Sequence, residues 1–162
     1  MSLRLISTSL FSINKGLSIS TFIINRAASS AAASYEWKVL AIGAGSKGAD
    51  EAQKSLAGLG YKNAKLMGVG NSQESDQKII AALKEKQWDA VAIGGYVNGY
   101  DQSRKYQEKD VSTDREEILL WFNRVLNIIH ELAPKSKIIL LKSPQDVHDG
   151  IQRIMGAEQI KT

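Results

Sequence analysis

The residues with the most chemical promise stand together early in the chain. The apolar run Lys38-Val39-Leu40-Ala41-Ile42 breaks into Gly43-Ala44-Gly45-Ser46-Lys47-Gly48, and a helical pattern follows. Glycines at this G-x-G-x-x-G spacing have separate tasks. Gly43 permits a tight turn, Gly45 lets a phosphate approach the backbone, and Gly48 lets the helix pack close to the strand. The first amides of a helix lack internal partners and carry partial positive charge, so an anion is stabilised there. The expected chemistry is therefore binding of a nucleotide or other phosphate-bearing small molecule at Gly43, Gly45, Ser46, Lys47 and Gly48. The residues leave the identity of any cofactor unknown.

Over Lys38–Tyr61 the chain resembles the first strand–turn–helix of dinucleotide-binding Rossmann proteins, down to Ala52, Leu56 and the Leu59-Gly60 ending. That resemblance implies a ribose-binding acid at the end of the second strand. Here the strand ends Gly68-Val69-Gly70-Asn71-Ser72, with no carboxylate before Glu74 and no arginine for a 2′-phosphate. The Walker pattern fails as well, since Ala49 and Asp50 follow the last glycine. Glycines that serve only tight strand–helix packing account for the same spacing. The end of the chain is similar to a second family. Ile138-Ile139-Leu140-Leu141-Lys142-Ser143-Pro144, with the helix through Ile154, resembles the last strand, lysine–proline loop and helix of response-regulator receivers. Asp89-Ala90-Val91-Ala92-Ile93-Gly94 resembles their third strand. The phosphoacceptor position falls on Gly94, and Gly43-Ala44 stands where receivers carry an acidic pair. The resemblance thus implies a degenerate receiver-like domain without a phosphoacceptor.

Little else suggests a reaction centre. The chain has no cysteine and two histidines, which removes thiolate chemistry and leaves almost nothing for a histidine metal cage. His130, near the end of the longest helical pattern, suits the negative helix end. His148 and Asp149 fall in a polar pattern and are expected to face solvent. Asp110, Asp114, Glu116 and Glu117 gather before the long helix, where acids complement its positive end, with no recognised metal spacing.

The elements that must position the glycine loop follow from periodicity. Strand-like runs at 38–42, 64–69, 90–93 and 137–141 alternate with helices expected over about 49–57, from Asn71 as a cap, from Thr113 to about Leu132, and from Ser143-Pro144 to about Ile154. Gly58 and Gly60 are expected to close the first helix. Four apolar strands separated by helices read as a three-layer α/β fold with a parallel sheet covered on both faces. Right-handed crossovers favour the flavodoxin-like order 2-1-3-4. The switch point then lies between strands one and three, so Gly94, Gly95 and Asn98 should face the glycine loop across it. Tyr96 to Ser112 lacks periodicity and is either a binding loop, open to a protein partner, or disordered.

The net charge of +4 divides unevenly: residues 1–35 hold three basic residues and no acid, and the remaining 18 basic and 17 acidic residues nearly cancel. Bulk basicity for nucleic acid is missing, and no stretch is long and apolar enough for a membrane span. Residues 1–34 hold nine serines, Arg4, Lys15 and Arg26, and interrupted apolar residues, which is the pattern of a mitochondrial transit peptide. The small-residue run after Arg26 places a processed N-terminus within 27–35, and residues 35–162 then form one domain. A disordered leader without an address is the other reading. Two functions are expected from these features: a mitochondrial-matrix, non-catalytic module that binds a ligand or a protein, or a small nucleotide-dependent enzyme, for example an oxidoreductase, using Gly43–Gly48.

Overall fold

The computed structural model describes residues 36–103, 106 and 108–156; the leader lies outside them. Four strands, β1 (Val39–Ala44), β2 (Ala64–Val69), β3 (Ala90–Ile93) and β4 (Lys137–Leu140), form one parallel sheet in the order β2-β1-β3-β4. The helices are α1 (Ser46–Gly58), α2 (Gln73–Lys84), α3 (Arg115–Leu132) and α4 (Val147–Met155), the last entered through a 3-10 turn at Pro144–Asp146. This is the expected flavodoxin-like three-layer arrangement. β1 is central because its residues are apolar on both faces. Leu40, Ile42 and Ala44 join a core with Ile79, Leu83, Trp121 and Val125 from α2 and α3. Val39 and Ala41 point the other way, onto Leu56 of α1 and Val147 and Ile151 of α4.

Helix ends differ from expectation by what their side chains touch. α1 begins at Ser46, three residues early, because Gly45 (φ 65°, ψ 164°) turns the chain straight from β1 into the helix with no capping side chain. Gly60 (φ 88°) ends α1: its amide donates to the Ala57 carbonyl and that of Tyr61 to Leu56, a left-handed terminus that leaves Gly58 inside the helix. Ser72, not Asn71, caps α2 by accepting the Ser75 amide. Asn71 is occupied elsewhere, its side-chain oxygen accepting from Arg124 at 2.7 Å. Arg124 also donates to Asp76 at 2.7 Å, which ties α3 to α2. Asp114, rather than Thr113, caps α3 through the amides of Glu116 and Glu117.

The long segment after β3 is built into the fold where it is described. Tyr96, Val97 and Val111 are buried, and the Tyr96 hydroxyl donates to the Ser112 carbonyl at 3.0 Å. Tyr106 meets the Tyr96 ring edge-on at 4.5 Å between centroids. A stretch without periodicity can still be held by a few large aromatic contacts.

Candidate functional site

β1 and β3 end side by side, and their connections leave on opposite faces of the sheet, so a crevice opens beyond their carboxyl ends. Gly94 donates to the Ile42 carbonyl at 2.7 Å, and a methyl on Gly94 would meet the Gly43 Cα at 3.1 Å. A side chain at Gly94 would push the two chains apart by a few tenths of an ångström. Gly43, Gly48, Gly94 and Gly95 share the wall of a cavity of about 40 Å³ with Ala52, Tyr96, Asp101, Tyr106, Ser143 and Pro144. That volume holds about three waters.

The remaining expected residues have other surroundings. Ser46 and Lys47 are exposed at the start of α1, outside the cavity wall. Asn98 acts as a clamp: its Nδ2 donates to the carbonyls of Ile93 at 3.1 Å and Leu141 at 2.9 Å, and its Oδ1 accepts the Tyr100 amide at 3.0 Å. Both amide hydrogens thus join the ends of β3 and β4. Gly95 is a packing position, because a methyl there would fall on the Lys142 carbonyl.

Sequence reasoning missed one acid, Glu108, and misplaced another, since Asp110 was expected at the start of α3 and stands instead at the start of α2. Glu108 reaches the helix start that was expected to await an anion, where its Oε1 accepts the Ser46 amide at 3.3 Å. A carboxylate suits that position for the same reason a phosphate would. A methyl on Gly45 would come within 2.7 Å of Glu108 Oε1 and 2.9 Å of the Tyr106 ring. Asp110 occupies the region beyond β2, where the Rossmann resemblance implies an acid. Its carboxylate lies against Gly70 and accepts from Ser72 Oγ at 3.2 Å, while its carbonyl accepts the Asn71 amide at 2.6 Å. Glu108 lies 62 residues from its partner, so no local spacing could reveal it. The one available signal was the pair of acids in the long segment after β3 that was read as a binding loop or as disordered.

The geometry also changes the meaning of Gly45. A side chain can be placed there without strain only at ordinary backbone angles, and φ 65° with ψ 164° is close to a glycine-only region. Gly45→Val is therefore a folding lesion as well as a block to ligand approach. Gly43 is the cleaner position, since a methyl there meets nothing within 4 Å and would enter the cavity.

Electrostatics around the crevice are local. Burial raises the Tyr96 phenol above its ordinary value. Burial also pushes Asp146 upward, but the Arg153 guanidinium, the Lys142 amide and nearby positive charge outweigh it and hold the carboxyl below the usual range. His148 is not simply solvated as expected. Its Nδ1 lies 3.1 Å from the Tyr61 hydroxyl, which also accepts from Gln152 at 3.0 Å, so the three side chains join α4 to the end of α1. His130 is exposed in the last turn of α3. Among the described residues, no group of three or more His, Asp or Glu could hold a metal ion, and no helix is long and apolar enough to cross a membrane. No family model matches the chain, and no curated protein is similar to it in sequence.

Proposed function

We propose that this protein is a binding module for a small phosphate-bearing ligand, taken at the crevice beyond β1 and β3. One observation carries the reading: the start of α1 already holds a carboxylate, Glu108, against the Ser46 amide. A helix start that accepts a distant side chain as its anion can accept a ligand's phosphate in the same place. The ligand must displace Glu108 to do so. Binding rather than catalysis is favoured because two polar side chains near the crevice are engaged in the fold. Asn98 clamps two strands, and the Tyr96 hydroxyl holds the loop.

Titration of the purified protein with inorganic phosphate, AMP, ADP, NAD and FMN, followed by thermal shift, tests the reading. A ligand at about a hundred times its Kd should add about 2.7 kcal/mol of stability. Glu108→Gln keeps the shape and removes the competing charge. It should tighten binding about tenfold, the worth of one charge-assisted hydrogen bond. Gly43→Ala, whose methyl meets nothing within 4 Å, should leave the unliganded melting temperature unchanged and weaken any ligand that extends from Ser46 into the cavity. If none of the five compounds stabilises either the parent protein or Glu108→Gln, the crevice is a packing feature. Turnover of a nucleotide substrate would replace this reading with that of a nucleotide-dependent enzyme.

The leader supports a matrix location for this module. An acid-free, serine-rich, positively charged segment is drawn by an inside-negative membrane potential. Residues 1–34 fused to a fluorescent reporter should carry it into mitochondria, and the mature N-terminus should lie between 27 and 37. A reporter that stays cytosolic would refute the address.

A further inference from the structure

β4 is an outer strand of the sheet, four residues long, with Lys135, Lys137 and Lys142 at its two ends and two large apolar side chains exposed between them. The Lys137 and Leu141 amides donate inward to the carbonyls of Asp89 and Ile93. In a parallel ladder alternate residues turn their main-chain groups to opposite sides, so those of Ile138 and Leu140 face outward. The side chains of the same two residues are 39% and 51% exposed. Beside them, Leu119 is 56% exposed, and Phe122 and Leu126 are half-buried. Steps of 100° per residue put 119, 122 and 126 on the far side of α3 from Arg124, which reaches toward α2. Strand edge and helix flank thus form one apolar face.

We propose that a second copy of this chain covers this face, pairing β4 with β4 across a two-fold axis through Ile139. The register is set by the outward groups. Placing Ile138 opposite Leu140 of the second copy lets each pair exchange two main-chain hydrogen bonds, four in all, as an antiparallel ladder requires. It also sets the two exposed side chains against each other on the α3 side. In that register Lys135, Lys137 and Lys142 fall opposite Ser143, Leu141 and Ser136, so no like charges meet directly. The apolar flank of α3 then faces the same flank of the second copy. An eighteen-residue helix about 27 Å long, with about 15 Å for one helix and one strand in depth, presents about 400 Å². That is about half of what each partner contributes to a standard stable interface. The dimer is therefore weak and reversible, joining two four-stranded sheets into one of eight.

Sedimentation equilibrium of the full chain should show a monomer–dimer equilibrium with a Kd of about 100 µM. Leu119→Lys and Leu140→Lys alter side chains already more than half exposed, so each should leave the melting temperature unchanged and weaken association at least tenfold. Hydrogen exchange at the Ile138 and Leu140 amides should slow as protein concentration rises. A chain that stays monomeric to about 500 µM overturns the proposal, as does a dimer untouched by both lysines. Exchange at those two amides that ignores concentration while dimers form also overturns it.

Discussion

Replacing Gly95 by alanine will destabilise the protein by about 3 kcal/mol or more. The added methyl would fall on the Lys142 carbonyl and lie 3.1 Å from that of Leu141. Neither strand end can yield cheaply. The Leu141 amide donates to Ile93 at 2.9 Å, the Leu141 carbonyl accepts from Asn98 at 2.9 Å, and the Gly95 carbonyl accepts from Asp101 at 2.9 Å. Making room means opening the end of the β3–β4 ladder or withdrawing the Asn98 clamp. Urea denaturation should show a much lower midpoint for Gly95→Ala than for Gly43→Ala, whose methyl meets open space. Equal midpoints would mean that the two strand ends are looser than their hydrogen bonds indicate.

Trp88→Ala should be comparably severe, at about 4 kcal/mol. Trp88 is 1% exposed, its indole donates to the Ala82 carbonyl at 3.0 Å, and its own carbonyl accepts from Ser136 at 2.7 Å. Alanine would leave a large cavity between the end of α2 and the start of β3. Trp121 makes an informative contrast. It is fully buried, but its indole nitrogen has no hydrogen-bond partner. Trp121→Phe removes that unsatisfied donor together with some volume, and the two effects oppose each other. Its measured loss should stay within about 1.5 kcal/mol. A larger loss for Trp121→Phe than for Trp88→Ala would reverse the assignment.

These two sites show what the amino-acid pattern could and could not reveal. Strands such as Ala90–Ile93 were legible because a short apolar run bounded by polar residues has few other uses. The strand order followed from handedness and chain connection alone. Trp88 was not legible: it lies outside every helix and strand, and periodicity carries no information about a buried residue in a connection. The glycine loop was legible as a strand-to-helix turn, yet its contents were not. Glu108 and Asp110 reach the starts of α1 and α2 through a segment whose path depends on Tyr96, Tyr106 and Val111 packing on the core. Gly95 lines the crevice and Asn98 does not, and the atoms that both touch at Leu141 and Lys142 lie just past β4, where only the folded register brings them close.

The central position of β1 has a consequence for how the chain must fold. Every neighbour in this sheet is parallel, so no strand can pair with the next through a simple hairpin. β1 is made first, waits for β2, and acquires its second neighbour only when Ile93 has been made, 49 residues after Ala44. At about 5–20 residues per second of synthesis, that interval is about 2–10 s. Throughout it Val39–Ala44, apolar on both sides, has at least one open edge. Nascent chains stalled between residues 70 and 93 should therefore be the species that chaperones hold longest, and release should coincide with the emergence of β3.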